Sequence, residues 1–211
     1  MGKSDWLNRF AIIAVIFLSA YFVILYFTDP ALLKWFCDED GLLESTSVLF
    51  YAAASLIFLL GCRNRRWKNI WYWGYFLLFF FIAGEEISWG QRILGLATPE
   101  SMKTMNVQGE MNLHNVDGIH DHIRMVGTLI ILTICYVLPV ANFCLRPIKT
   151  FLSKIKMPIF PLKTWLIPTL AILFMVIPRL YGAVVFELDE VGEFYLSICF
   201  FVFAVHAHKD T

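Results

Sequence analysis

Charge is what this sequence has least of: 17 basic and 17 acidic residues among 211 leave no formal net charge, and only 16% of positions are charged. A neutral chain gives no electrostatic argument for binding nucleic acid. Cysteine is also scarce. Cys37, Cys62, Cys135, Cys144 and Cys199 are the whole complement, and only Cys37 is expected to face an oxidising compartment, so no intrachain disulfide is predicted. Internal repeats and low-complexity tracts are missing, and the longest stretch between apolar runs, residues 97–122, is too short for a second domain. A single domain spanning 1–211 follows.

What the sequence has instead is apolar surface: 59% hydrophobic residues, 17% aromatic, and a mean hydropathy of +0.66. Such a composition suits a chain dissolved in lipid. Six apolar runs, at about 10–27, 42–62, 70–96, 123–145, 164–186 and 191–206, predict an all-α polytopic bundle, because they lack the alternation of a membrane barrel. The first run is too long for an ordinary signal peptide and reads as an uncleaved anchor. Arg63, Arg65, Arg66 and Lys68 follow the second run, and Arg146, Lys149, Lys154, Lys156 and Lys163 follow the fourth. The alternate loops carry Asp38, Glu39 and Asp40, then Glu100, Glu110, Asp117 and Asp121, then Glu187, Asp189 and Glu190. The positive-inside rule therefore predicts that both termini are cytoplasmic.

Thr98-Pro99-Glu100 is a helix-start signal and predicts a short helix on the outer surface. The basic connection 146–163, with Pro147, Pro158 and Pro161, reads as a surface arm against anionic headgroups, or as charge that only fixes topology. Trp67, Trp71, Tyr72 and Trp73 are expected in the interfacial aromatic belt. Pro168 and Pro178 are expected to kink the fifth helix.

Against this apolar background, ionisable residues inside the runs mark a site by their cost. Glu85 lies about 21 Å along the third helix from Trp71, at about 1.5 Å per residue, inside a hydrocarbon core about 30 Å thick. Counted likewise from the cytoplasmic ends of their own runs, Glu44, Arg179 and Glu193 reach a similar depth, so Glu44, Glu85, Glu86, Arg179 and Glu193 are predicted to share one layer. On a continuous helix Glu85, Ser88 or Trp89, and Arg92 fall on one face, and Glu44, Ser47 and Tyr51 form a matching stripe. Gly84, Gly90 and Gly95 would admit a neighbouring helix. Carboxylates outnumber guanidiniums in this layer, which leaves charge to be protonated or bound by a cation. The competing reading is a buried salt-bridge network.

The loop segment His114-Asn115-Val116-Asp117-Gly118-Ile119-His120-Asp121-His122 supplies nitrogen and oxygen ligands suited to Zn, Mn or Fe, although its spacing matches no strong metal signature and Asp117-Gly118 is also a turn signal. Glu187, Asp189 and Glu190 read as solvated acids at a helix start. Glu193 lies deeper.

Asp40-Gly41-Leu42-Leu43-Glu44, Gly84-Glu85-Glu86-Ile87-Ser88-Trp89-Gly90-Gln91-Arg92 and Asn112-Leu113-His114-Asn115 together resemble segments of a group of bacterial multi-pass inner-membrane proteins with no assigned activity. That resemblance implies a bacterial inner membrane and no chemistry. A weaker likeness is to the intramembrane zinc hydrolases that include alkaline ceramidases. The chain lacks their paired histidines in a late helix, has His206-Ala207-His208 at the opposite face, and has six runs rather than seven, so their catalytic residues do not transfer.

Three functions fit these residues. A metal-assisted hydrolase or transferase acting on a lipid or lipid-linked substrate would use Glu86, His114 and His120 as ligands of a divalent metal, with Glu44, Glu85 and Glu193 as acid or base, and Arg92, Arg179 and Ser88 holding substrate. The alternatives are a non-catalytic scaffold subunit of an envelope complex and a proton- or cation-coupled transporter. Topology is directly testable: outside-added thiol reagent should label a Cys placed at Gln108 and spare one at Asn64, and the reverse pattern would move the charged layer to the cytoplasmic side.

Overall fold

The computed structural model describes the backbone of residues 3–38, 41–64, 69–103, 106, 112, 116, 120–180 and 186–209. Within those ranges the side chains of 3–4, 63–64, 92–93, 101–102, 120–121, 123–124, 178–180 and 186 are not described. The helices are α1 (Lys3–Thr28), α2 (Pro30–Cys37), α3 (Leu42–Asn64), α4 (Ile70–Glu86), α5 (Gln91–Leu94), α6 (Glu100–Lys103), α7 (His120–Leu132), α8 (Leu138–Cys144), α9 (Arg146–Lys154), α10 (Leu166–Leu180) and α11 (Phe186–Lys209). Apart from one isolated bridge between Asn106 and Val116, no strand pairing occurs among the described residues. Local chemistry starts two of these helices. Asp29 Oδ1 accepts from the Leu32 N–H at 3.0 Å ahead of Pro30, and Asn69 Oδ1 accepts from the Trp71 N–H at 3.1 Å, each satisfying a donor that a helix start leaves orphaned.

Three helical stretches are long and apolar enough to cross a membrane: Asp5–Thr28, Pro30–Cys62 and Met125–Cys144. Their outward faces are apolar, with Phe17, Phe27 and Phe143 between 72% and 78% exposed, a surface that lipid solvates and water does not. The third and fifth runs form shorter helices than expected. α4 has 17 residues and α10 has 15, so each spans about 22–26 Å at about 1.5 Å per residue.

The last helix, α11, occupies the centre. It packs against α3, α10, α1 and α2, and α3 in turn packs against α4. Val191, Phe194, Tyr195, Leu196, Ser197, Cys199, Phe200, Val202, Phe203 and Ala204 of α11 are all buried. Phe58 of α3 fits among Tyr72, Tyr75, Phe79 and Phe203, with ring centroids 4.9–5.8 Å apart, which locks three helices through aromatic contacts. Gly192 permits a close approach of α10. A Cβ there would lie 2.4 Å from Met175 Cγ and 2.8 Å from the Ala171 carbonyl oxygen on α10.

Several expectations change in three dimensions. Tyr72 is no belt residue: it is buried and donates its hydroxyl to the Ala207 carbonyl at 2.7 Å, because a phenol inside a bundle must find an acceptor. Trp71 and Trp73 are half-buried, and Trp67 lies outside the described residues. Cys37 is buried and donates to the Glu187 carbonyl, tying α2 to the start of α11. The basic connection is docked rather than loose. Its α9 buries Leu152, Phe160 is buried behind it, and Asn69 Nδ2 donates to the Lys156 carbonyl at 3.0 Å.

Pro168 and Pro178 both lie in α10, with the Pro178 side chain outside the described residues. Pro168 falls in the first turn of α10, where it disturbs little. Pro139 has the larger effect, since it lacks the N–H that would bond the Cys135 carbonyl four residues earlier. The chain answers with a π-helical segment over Thr133–Val137 between α7 and α8, in which the Leu138 N–H bonds Thr133, and Trp165 Nε1 donates to the freed Cys135 carbonyl at 2.8 Å. The defect thereby becomes an anchor joining this long helix to the segment before α10.

Gly192→Ala should destabilise the protein by about 1–3 kcal/mol through overpacking against α10. Gly74→Ala, where a Cβ meets nothing within 4 Å, should stabilise it by about 0.5–1 kcal/mol. Thermal unfolding in mild detergent checks both, and equal midpoints for the two variants would deny that Gly192 sets the α10–α11 distance.

Candidate functional site

The third apolar run does not continue as one helix. After Glu86 the backbone turns through three consecutive left-handed residues, Ser88 (φ 46°), Trp89 (φ 54°) and Gly90 (φ 76°). Glycine accepts this conformation freely, whereas Ser88 and Trp89 cost roughly 1–2 kcal/mol each. The fold offsets that cost through Trp89. Its indole folds back along α4, donates Nε1–H to Glu85 Oε1 at 2.7 Å and lies 5.6 Å from the Phe81 ring. Gly84 makes room for it, since a Cβ there would sit 2.9 Å from the indole. The expectation of one continuous helical face carrying Glu85, Ser88 and Arg92 is therefore corrected, as is the role given to the glycines. Gly84 receives the returning indole and Gly90 relieves the turn. Gly95 (φ 62°) ends α5, where the Leu96 N–H reaches back to the Gln91 carbonyl at 3.0 Å, the closing bond of a Schellman cap.

The turn is held from outside by a polar clasp. Ser88 is 1% exposed, and its Oγ accepts from Asn112 Nδ2 at 3.1 Å. Asn106 Nδ2 donates in turn to the Asn112 carbonyl at 2.9 Å and to its Oδ1 at 2.8 Å, both asparagines being buried. Gln91 Nε2 donates to the buried Thr98 Oγ1. Residues well after the turn thus fold back onto it. Reasoning from sequence gave no role to Asn106, read Thr98 only as part of a helix start, and reached Asn112 only through the resembling segment. The available signal was weak: two asparagines in a loop beside an apolar bundle, whose buried amides must be hydrogen-bonded.

Beside this clasp the carboxylates converge. Glu86 at the end of α4 lies within electrostatic range of Glu193 on α11, Glu44 on α3 and its neighbour Glu85. Tyr51, fully enclosed on α3, feels both Glu86 and Glu193, and Glu190 feels Glu193, Glu86 and Glu44. Glu85 is 7% exposed, while Glu44, Glu86 and Glu193 are half-buried. The stripe of Glu44, Ser47 and Tyr51 faces inward, with Ser47 and Tyr51 buried. Glu190 joins the acidic group rather than standing apart from it, because α11 begins at Phe186 and so carries Glu190 and Glu193 on one helical face.

The side chains of Arg92, Arg179 and His120, and all of His114, lie outside the described residues. Among the described residues no group of three or more His, Cys, Asp or Glu is placed to hold a metal ion. The short helix expected after Thr98-Pro99-Glu100 is present as α6, closed by an ion pair between Lys103 and Glu100 at 2.8 Å.

Among the described residues the protein is all-helical, with three helical stretches long and apolar enough to cross a membrane and with acids of α3, α4 and α11 gathered at one end of the bundle. No family model, no curated protein and no solved structure matches the chain.

Asn112→Ala removes the donor to Ser88 and the side-chain acceptor for Asn106, and should cost about 1–3 kcal/mol by leaving buried polar groups unsatisfied. A thermal midpoint equal to that of the wild type would mean that the clasp does not hold the turn.

Proposed function

We propose that this chain is a multi-pass protein of the bacterial inner membrane, with six spans and cytoplasmic termini, whose acidic pocket binds a divalent metal ion. The metal assists hydrolysis or group transfer on a lipid or lipid-linked substrate at the outer leaflet. The observation carrying this reading is that Glu86 lies within electrostatic range of Glu44, Glu85 and Glu193, acids from three helices, with the enclosed Tyr51 within range of Glu86 and Glu193. Carboxylates gathered in a low-dielectric setting repel one another, and protons or a cation must offset that repulsion. A divalent cation does so most fully and supplies Lewis acidity at the same point.

In this scheme Glu86, His114 and His120 hold a Zn, Mn or Fe ion. Glu44, Glu85 and Glu193 exchange protons with substrate or water, and Arg92, Arg179 and Ser88 bind an anionic substrate group. The left-handed turn at Ser88 supports the assignment, because backbone strain of this kind gathers at sites where position matters more than stability. Placement at the end of the bundle would let a lipid headgroup reach the pocket from the membrane surface.

Metal analysis of protein purified in mild detergent should find a bound divalent ion, and adding or chelating that ion should raise or lower the unfolding temperature. Glu86→Gln and His114→Ala should each abolish the bound metal while the protein remains folded and membrane-inserted. Absence of metal in the wild type, with Glu86→Gln lowering stability, would favour a structural network in a scaffold protein instead.

A further inference from the structure

At the opposite end of the bundle, a cleft of about 370 Å³ opens between α9 and the ends of α4 and α11. It is lined by Asn142, Lys149, Ser153 and Lys156, with Tyr72 and Ala207 among the residues beneath. We propose that this cleft binds the phosphate of an anionic phospholipid headgroup, so that the protein carries a specific lipid site distinct from its acidic pocket.

The lining has the chemistry of a phosphate site: two ammonium groups, a hydroxyl and an amide, all able to donate. Lys149 and Ser153 are four residues apart on α9 and share a face, and Lys156 follows just past the helix end. Among the described residues neither lysine has a carboxylate partner, in contrast to Lys163, which pairs with Asp5 at 2.9 Å. The cleft therefore holds positive charge that no carboxylate among the described residues pairs with. Its volume falls in the range of small-ligand sites.

The cleft is also preorganised. Lys156 is held at φ 54°, a left-handed conformation unusual for a lysine. Three contacts keep it there: the Lys156 N–H bonds the Ser153 carbonyl at 3.1 Å, the Met157 N–H bonds the Leu152 carbonyl at 3.1 Å, and Asn69 Nδ2 caps the Lys156 carbonyl. Nothing in the helix-ending role requires a lysine there, since glycine would adopt the same backbone without strain. Phe143, Leu145 and Phe151, on and between the helices that carry Asn142 and Lys149, are 78%, 49% and 58% exposed. Exposed apolar side chains on the same elements as a cationic polar cleft suit an amphiphile, with acyl chains against the aromatics and phosphate in the cleft. A free phosphate would leave those apolar side chains uncovered.

The test uses the whole protein in detergent micelles, titrated with phosphatidylglycerol, phosphatidylcholine or inorganic phosphate while the unfolding temperature is followed. Phosphatidylglycerol should raise the midpoint of the wild type more than phosphatidylcholine, and inorganic phosphate should not reproduce the difference. Lys149→Gln/Lys156→Gln should lose at least half of the phosphatidylglycerol increment, and Lys154→Gln, outside the lining, should keep it. Lys156→Gly, which relieves the left-handed strain, should be at least as stable as the wild type without lipid yet lose the increment, so that lost binding is separated from lost folding. An unchanged increment in the lining variants, an equal loss in Lys154→Gln, or full reproduction by inorganic phosphate would overturn the proposal.

Discussion

The structure depends on the enclosure of α11. Helices in lipid gain little from hiding apolar side chains, since the surrounding chains are as apolar as the interior, and association rests on close packing and on hydrogen bonds between helices. α11 uses both. Gly192 lets α10 approach to backbone distance, Phe200 and Phe203 enter the aromatic cluster of α3 and α4, and its backbone accepts from Cys37 at one end and Tyr72 at the other. A helix so enclosed can carry Glu190 and Glu193 in its first turns without presenting them to lipid.

The same enclosure makes the broken backbone after Glu86 tolerable. Peptide groups that leave a helix within a membrane need partners, and irregular chain survives there only where protein surrounds it. Ser88 and Gly90 are buried, the indole of Trp89 occupies the groove beside Gly84, and Asn112 reaches Ser88 from a segment more than twenty residues later. Ending α4 at Glu86 places that carboxylate among Glu44 and Glu193 instead of continuing it along a lipid-facing cylinder.

The two ends of the bundle have opposite chemistry. One collects carboxylates from α3, α4 and α11 beside a strained turn. The other holds Lys149 and Lys156 over a cleft whose base is formed partly by α4 and α11. Both arrangements use helix ends, where side chains are released from helical spacing and neighbouring elements can meet.

Helical class, the apolar runs and the identity of the costly acids were fixed by composition and periodicity, because lipid permits few backbone solutions and penalises every ionisable group inside it. Local sequence also held the short helix after Pro99. Other features required the tertiary structure. That Tyr72 is core and not belt depends on an acceptor 135 residues away, and that the Cys135 carbonyl freed by Pro139 finds a donor depends on Trp165 arriving beside it. Helical spacing wrongly aligned Glu85, Ser88 and Arg92, since nothing local announces that Ser88 and Trp89 will adopt left-handed backbone. That conformation is affordable only after Gly84, Glu85 and Asn112 are assembled around it. Periodicity sees neighbours along one helix, whereas the site is made of contacts between helices, whose reward appears only when the whole bundle has closed.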